Sequence, residues 1–405
     1  MYKIVNRKKR IKIFLIDTLL RWLVTAGGLR KTEDRSRFDT PPGEIRKVLA
    51  IRLAFIGDVV MTLPALAALK ELFPRAEIHL LTSKRASQVV QGSPSVGKVI
   101  PYDAPWFYPE GMWGRKVREY FSMLRRLRKE AYDLVIDFRG DFRNILFLVR
   151  PVGAKHRVSY DITGGGYFLT SVAPYRRIKH RTDFHLDLVK FLGASGNGSR
   201  RERIGLTEPE RQEGEKLLRE AGLPPGSVLV GFCPGAREKL KEWGTVPFAR
   251  LAELMIARWN ARIILFGSRA DQATARSIKE RCGADGIVDM TGRTTLRQLM
   301  ACLSSLDLVV ANDSAPMHLA AALDVPVVGI FGPSKAMETA PVSSRAAVVE
   351  QYIPCRFSCD ESRCHIQDDR ACLRKITPVE VFSTCGDLLH YDRGKNMPAP
   401  EGRSA

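Results

Sequence analysis

The sequence predicts an α/β protein made of two Rossmann-like units, each built on an open parallel sheet. Three observations predict it. Near-continuous apolar runs, as in parallel strands covered on both faces, alternate with stretches whose apolar residues recur at helical spacing. These strand–helix–strand alternations fall into two sets separated by a polar passage. At 405 residues the chain is too long for one compact core and suits two domains. Its 45% hydrophobic and 27% charged content excludes a disordered or fibrous protein.

Residues 1–45 read as a basic amphipathic leader. The chain carries a formal charge of +20, and residues 1–50 hold 13 Lys/Arg against 5 Asp/Glu, a net of +8. Such an excess points to a polyanionic partner: nucleic acid, anionic lipid headgroups or phosphorylated substrates. The apolar stretch from Ile11 to Val24 is interrupted by Lys12, Asp17 and Arg21, and no small-residue cleavage site follows it. It is also shorter than the ~20 apolar residues a spanning helix needs. Phe14, Leu15, Leu19, Trp22 and Leu23 set against Lys8, Lys9, Arg10, Lys12 and Arg21 predict a helix lying in an anionic membrane interface. The alternative is a helix packed on the protein's own surface.

Residues 46–205 form the first predicted domain. "KVLAIRLAFI" (47–56) reads as a strand, 59–72 as a helix and "AEIHLLTS" (76–83) as the next strand, which makes a βαβ unit. "VREYFSMLRRLRKEAYDLVIDFRG" (117–140) gives a basic helix, a strand at 133–138 and a turn. The polar stretch 206–226, which ends in Pro-Pro-Gly, reads as a linker.

The second domain, 227–390, repeats the pattern. Strands are predicted at 227–236, 261–268, 306–313 and 325–333, with helices near 246–258, 270–282 and 316–323. Residues 391–405 read as a disordered tail.

Ligands of open α/β sheets bind at the carboxyl ends of the strands. Gly57-Asp58 stands there in the first half; "CPGAREKLKEW" (233–243) and "ANDSAPMHLA" (311–320) stand there in the second. In the last of these, Asp313 or Ser314 can cap a helix whose first turn takes Pro316. The N–H groups of Ser314 and Ala315 then face outward, the helix dipole favours an anion, and His318 adds an imidazole one turn in. In the other motif, small residues at Pro234-Gly235-Ala236 let backbone N–H groups approach a ligand, beside Arg237, Lys239 and Lys241. An ordinary capped helix and a solvated basic loop are the competing readings. For Asp58, the competing reading is the N-cap of the following helix.

Eight cysteines are present. Cys233, Cys282 and Cys302 sit in apolar surroundings and read as reduced core residues of a cytosolic chain. Cys355, Cys359, Cys364 and Cys372 are spaced C-x3-C-x4-C-x7-C. Four thiolates there can hold a structural zinc ion or an Fe–S cluster. Disulfides or free thiols are also open, because the spacing matches no strict zinc signature.

"RLAFIGDVVMTLPALAALKELFP", "YDLVIDFRG", "PGAREKLKEW", the block from "MTGRTTLRQL" through "VVANDSAPMHLAAALDVPVVGIFGPS" and the late cysteine cluster stand in the order seen in glycosyltransferase family 9. The chain over about 46–390 resembles that family, the heptosyltransferases of lipopolysaccharide core assembly; the leader does not share in the resemblance. The resemblance implies a GT-B fold, with two Rossmann-like domains facing a central cleft, the acceptor on the first and an ADP-sugar on the second. It implies inverting transfer of L-glycero-D-manno-heptose from ADP onto the lipid A–inner core acceptor, with no metal or cofactor needed for catalysis. A family 9 enzyme using a different nucleotide-sugar for another surface glycan is the alternative.

Carried over by position, Asp58 is the general base, taking the acceptor hydroxyl's proton. Lys241 and the backbone at Ser314-Ala315 meet the pyrophosphate, with Gly235 and Ala236 beside them. Asp271 is placed at the ribose, Thr294 by the adenine, and Asp313 in the same pocket. Ala315 stands where glycine is common, so a positive φ there would be awkward. Arg139, Arg143 and His180 fall at acceptor-facing positions. The expected partners are an ADP-sugar, a lipid A–core acceptor and an anionic membrane surface, at the cytoplasmic face of the inner membrane. A nucleic-acid partner is not expected, because the basic charge concentrates in a lipid-like leader and helix rather than interleaving with stacking aromatics.

Overall fold

Strands β1 (Lys47–Arg52) and β4 (Leu134–Asp137) are buried along almost their whole length, which is why they read as apolar runs. The computed structural model describes residues 15–19, 21–22, 36–108, 113–175, 179–195, 199–223, 226–357, 359, 363–364 and 369–393. The chain divides into two units, Met1–Glu202 and Arg203–Ala405.

In the first unit β1 and β4 lie at the centre of a sheet with β2 (Glu77–Thr82), β3 (Lys98–Pro101), β5 (His156–Tyr160) and β6 (Ser171–Ala173). The order is β3-β2-β1-β4-β5-β6, with every neighbouring pair parallel. Leu49, Ile51 and Val135 from the strands meet Leu124, Leu127 and Leu148 from the covering helices in one core. Fully burying each such side chain is worth roughly 1.5–3 kcal/mol.

The second unit repeats the topology with β7 (Leu229–Cys233), β8 (Arg262–Leu265), β9 (Ile287–Asp289), β10 (Leu308–Asn312), β11 (Val327–Phe331) and β12 (Ala346–Glu350). Its order, β12-β11-β10-β7-β8-β9, is again all parallel and is the same 3-2-1-4-5-6 arrangement counted from its own first strand. Both are the Rossmann order, so each sheet reverses its winding between its first and fourth strands, β1/β4 in one unit and β7/β10 in the other.

Three boundaries differ from expectation. The 59–72 helix is two helices, Ile56–Val60 and Leu63–Leu72; Pro64, which lacks an N–H, sits in the first turn of the second. The 206–226 passage is not a bare linker. Helix Glu208–Glu220 within it packs on helix Leu296–Ser304 so closely that a Cβ on Gly214 would stand 2.5 Å from the Ala301 carbonyl carbon. Arg297 adds an ion pair to Glu210 at 2.6 Å. The last helix, Pro378–Arg393, takes in three residues assigned to the tail; 394–405 lie outside the described residues.

Most of the leader lies outside the described residues too, but 15–19 and 21–22 are helical. Among the described residues no helix is long and apolar enough to cross a membrane.

Candidate active site

The first unit's switch point is built by the ends of β1 and β4. Arg52 is the last residue of β1 and only 4% exposed. One turn into the next helix stands Asp58, whose side chain is 29% exposed. The N-cap of that helix is Phe55, so Asp58 is its third residue and not its cap. Its Oδ1 instead accepts a hydrogen bond from Arg52 Nη2 at 2.9 Å. Burial opposes ionisation of Asp58, but Arg52, then Arg139 and Arg181, outweigh it and hold its carboxyl below the usual carboxylate value. Burial pushes Arg52 down to about 10, against the attraction of Asp58, which leaves it a cation at neutral pH.

A second layer supports this pair. Thr62 Oγ1 donates to Asp58 O at 2.8 Å. His185 Nδ1 lies 3.1 Å from Thr62 Oγ1 and 3.2 Å from Met61 O. The carbonyl can only accept, so Nδ1 carries the proton. Burial, then Arg52, depresses His185 well below the ordinary histidine range, so the ring is neutral.

The β4 end brings the two predicted arginines. Arg139 Nη1 donates to Leu53 O at 3.3 Å, and its guanidinium lies 4.2 Å from the centroid of the Phe107 ring. Arg143 is held in a fork by Asp141, at 2.9 and 2.7 Å, and donates to Trp106 O at 3.1 Å. Beneath them Asp137 is fully buried, accepting from Asn144 Nδ2 at 2.9 Å and the Gly140 N–H at 2.8 Å. Burial lifts its carboxyl to about 6 despite those donors. His180 caps helix Arg181–Phe191 by accepting the Thr182 N–H at Nδ1. Structure thus brings Asp58 and Arg139 together and gives Arg143 and His180 local partners.

Arg52 and Arg181 were not among the sequence candidates. Arg52 had a signal: a charge closing an otherwise apolar strand, "VLAIR". Arg181 had none beyond its place beside His180.

In the second unit the ends of β7 and β10 are tied by Asn312, which is fully buried. Its Nδ2 donates to Pro234 O at 2.6 Å and its Oδ1 accepts the Trp243 N–H at 3.1 Å. Lys241 Nζ then reaches Asp313 Oδ2 at 2.8 Å. Asp313 is therefore an ion-pair partner and not the cap. Ser314 is the N-cap of helix Ala315–Ala322 in extended conformation, and among the described residues its buried hydroxyl has no cap bond and no hydrogen-bond partner. Ala315 is the first helical residue and is absent from the positive-φ residues, so alanine there carries no strain. His318 is buried in the same helix.

Gly235 follows β7, and a Cβ on it would stand 2.3 Å from Asp271 Oδ1. Asp271, beyond β8, closes a capping box by accepting the Ser268 N–H at 2.7 Å. Ala236 N–H donates to Glu242 at 3.3 Å. Thr294 lies in the loop before helix Leu296–Ser304, and Gly292 of that loop donates its N–H to Gly267 O at 2.9 Å. The loops after β7, β8, β9 and β10 therefore converge at one end of the sheet.

Of the cysteine cluster, Cys355, Cys359, Cys364 and Cys372 are described, whereas 358, 360–362 and 365–368 lie outside the described residues. Among the described residues no group of three or more His, Cys, Asp or Glu is placed to hold a metal ion, and all four cysteines are thiols outside disulfides. Cys372 is packed in the core beside Leu373 and Ile376, and the Cys364 Sγ accepts the Arg370 N–H at 3.4 Å. Burial, then the neighbouring Cys355, pushes the Cys372 thiol up.

A carboxylate stands among arginines at one Rossmann switch point, and a lysine stands beside a helix N-terminus at the other. The sequence matches glycosyltransferase family 9 (heptosyltransferase) over residues 120–366, and the chain belongs to that family. It is 27% identical over 318 residues to lipopolysaccharide heptosyltransferase 2 of Salmonella typhimurium, covering 75% of this chain and 87% of that protein. Its fold is similar to that of E. coli ADP-heptose LPS heptosyltransferase II, with TM-score 0.69, 22% identity and coverage of 86% and 99%. A family 9 glycosyl transferase of Veillonella parvula is similar at TM-score 0.74, 20% identity and coverage of 87% and 99%.

Proposed function

We propose that this glycosyltransferase moves L-glycero-D-manno-heptose from ADP-heptose onto the inner core of lipopolysaccharide, with inversion at the anomeric carbon and Asp58 as general base. The observation that carries the reading is the Asp58 carboxylate. Among the described residues its one side-chain hydrogen bond is to Arg52, through Oδ1, which leaves Oδ2 for a substrate hydroxyl. In the step proposed, the acceptor oxygen attacks C1 from the face opposite ADP, the bond from C1 to the phosphate oxygen breaks, and the hydroxyl proton passes to Asp58.

ADP departs with new negative charge. Lys241, ion-paired with Asp313, brings a positive charge to that side, and the first-turn N–H groups after Ser314 add the positive end of a helix dipole. Gly235, Ala236, Asp271, Thr294 and His318 complete the nucleotide side of this reading. On the acceptor side Arg139, after Arg52 and alongside Arg181, is one of the arginines whose charge reaches Asp58. Arg143, engaged by Asp141, and His180, engaged as a cap, act by positioning. Because the acceptor is lipid-borne, the enzyme works peripherally at a membrane surface, the cytoplasmic face of the inner membrane.

The test is transfer from ADP-heptose and a panel of other nucleotide-sugars to defined lipid A–core acceptors. Transfer from ADP-heptose at least tenfold faster than from any other donor is the expected result. Preference for another donor would replace the sugar while leaving the fold in place.

A further inference from the structure

An amphipathic helix on a globular surface ordinarily turns its apolar stripe inward. The leader helix does the reverse. Leu15, Ile16, Leu19 and Trp22, spaced to share one face, are 60%, 48%, 58% and 64% exposed, while Asp17 on the other side is 1% exposed. The Asp17 carboxylate enters a cradle made by glycines. Its Oδ1 accepts the Gly165 N–H at 2.8 Å, and a Cβ on Gly164 would stand 2.6 Å from that same oxygen. Gly164 and Gly165 have φ of +98° and +90°, a backbone that glycine adopts without strain. Tyr167 donates its hydroxyl to Asp17 O at 3.4 Å, and Arg21 lies 3.5 Å from the carboxylate. A buried carboxylate needs such partners, so it fixes which way the helix faces.

We propose that the leader helix is an interfacial anchor for an anionic lipid bilayer, latched to the first unit by Asp17 in the Gly164–Gly165 cradle so that its apolar face points outward. This deepens the membrane-surface reading given above and rests on it. Charge selects the occupant. Residues 1–14 carry six Lys/Arg and no Asp/Glu, and the whole chain is +20, so a second copy is repelled where an anionic surface is attracted. A second basic element packs against residues 145–152, whose Ile145 lies against Gly165 of the cradle. Helix Trp113–Lys129 holds seven Lys/Arg against one acid, with Val117 and Phe121 exposed. Its Tyr120 donates to Phe147 O at 2.8 Å, and Arg150 of that segment lies over the Phe168 ring beside the cradle. Basic residues near an anionic leaflet strengthen binding to it, within a salt-screened range.

The experiment is co-sedimentation of the full chain with phosphatidylcholine vesicles, with and without phosphatidylglycerol, with ADP affinity as the control for folding. Anionic vesicles are expected to bind it at least tenfold more tightly than neutral ones, less so at high salt, and L19E/W22E is expected to remove that binding while ADP affinity is kept. Gly164→Ala, which displaces Asp17, is expected to raise the rate of tryptic cleavage after Arg21 several-fold. Bromine-labelled acyl chains are expected to quench the wild type more than Trp22→Phe, whether or not the double variant folds. Binding indifferent to lipid charge, quenching equal in wild type and Trp22→Phe, unchanged cleavage in Gly164→Ala, or a dimer that L19E/W22E dissociates would each overturn the proposal. Vesicle binding without any sugar transfer would sink the activity reading and leave the anchor standing.

Discussion

Replacing Arg52 by methionine probes the Asp58 site at its support. The guanidinium is 2.9 Å from Asp58 Oδ1 and almost wholly buried, whereas the carboxylate is 29% exposed and has Arg139 and Arg181 nearby. Breaking a fully buried pair costs about 3–5 kcal/mol because one charge is left uncompensated. Arg52→Met leaves behind the better solvated partner, so its expected cost at neutral pH is about 1–2 kcal/mol. Asp58→Asn leaves the buried guanidinium, whose Nε has no partner among the described residues, and the expected cost is about 2–4 kcal/mol. Asp58 is held below its ordinary value, so its stabilisation is present above the ordinary carboxylate range and is lost as pH falls through the folded value. Without Arg52 that acid-side loss becomes shallower. In catalysis the acid limb of kcat against pH moves upward, and kcat falls about 10- to 100-fold as the carboxylate loses its fixed position. Urea unfolding of both variants and a pH–rate profile measure this. Equal destabilisation by the two substitutions, together with an unmoved acid limb, would refute the reasoning.

Lys241→Ala removes a charged donor from the nucleotide side and is expected to weaken ADP binding by about 1.5–3 kcal/mol in calorimetry. Gly235→Ala sets a Cβ 2.3 Å from Asp271; the forced shift is expected to cost about 1–3 kcal/mol in urea unfolding and to weaken ADP binding as well. Asp137, raised to about 6, is neutral in the fold where the unfolded chain is ionised. It therefore favours the fold most below the ordinary carboxylate range, an advantage lost as pH rises through about 6, on the order of 3 kcal/mol at 1.36 kcal/mol per unit. Asp137→Asn is expected to flatten that slope between pH 4 and 7, measured by urea unfolding across roughly that range.

The long central strands were legible because burial on both faces makes them continuous apolar runs: "VLAI", "LVID" and "LVVAN" each fall within a predicted strand. The outer strands β3, β5, β6, β9 and β12 are three to five residues long, and "HRVSY" or "KVIP" mixes polar residues with apolar ones, so no periodicity marks them. The helix Glu208–Glu220 escaped because its inner face rests on Gly214, Leu218 and an ion pair rather than an apolar stripe. Site loops were legible from strand ends alone. The partners of Asp58 and Asp313 were not: Arg52 is six residues from Asp58, and Lys241 is 72 from Asp313. The second pairing comes from the order of strands in space and the first from the turn between β1 and the next helix, and apolar periodicity encodes neither.

Asp58 is the group proposed to take the proton in heptosyl transfer. Single-turnover transfer from ADP-heptose to a lipid A–core acceptor, measured for wild type and Asp58→Asn with ADP affinity in parallel, tests it most directly. A fall of about 10²- to 10⁴-fold in the rate with ADP affinity unchanged is the result the account predicts. A variant that transfers heptose within a few-fold of the wild-type rate would contradict it.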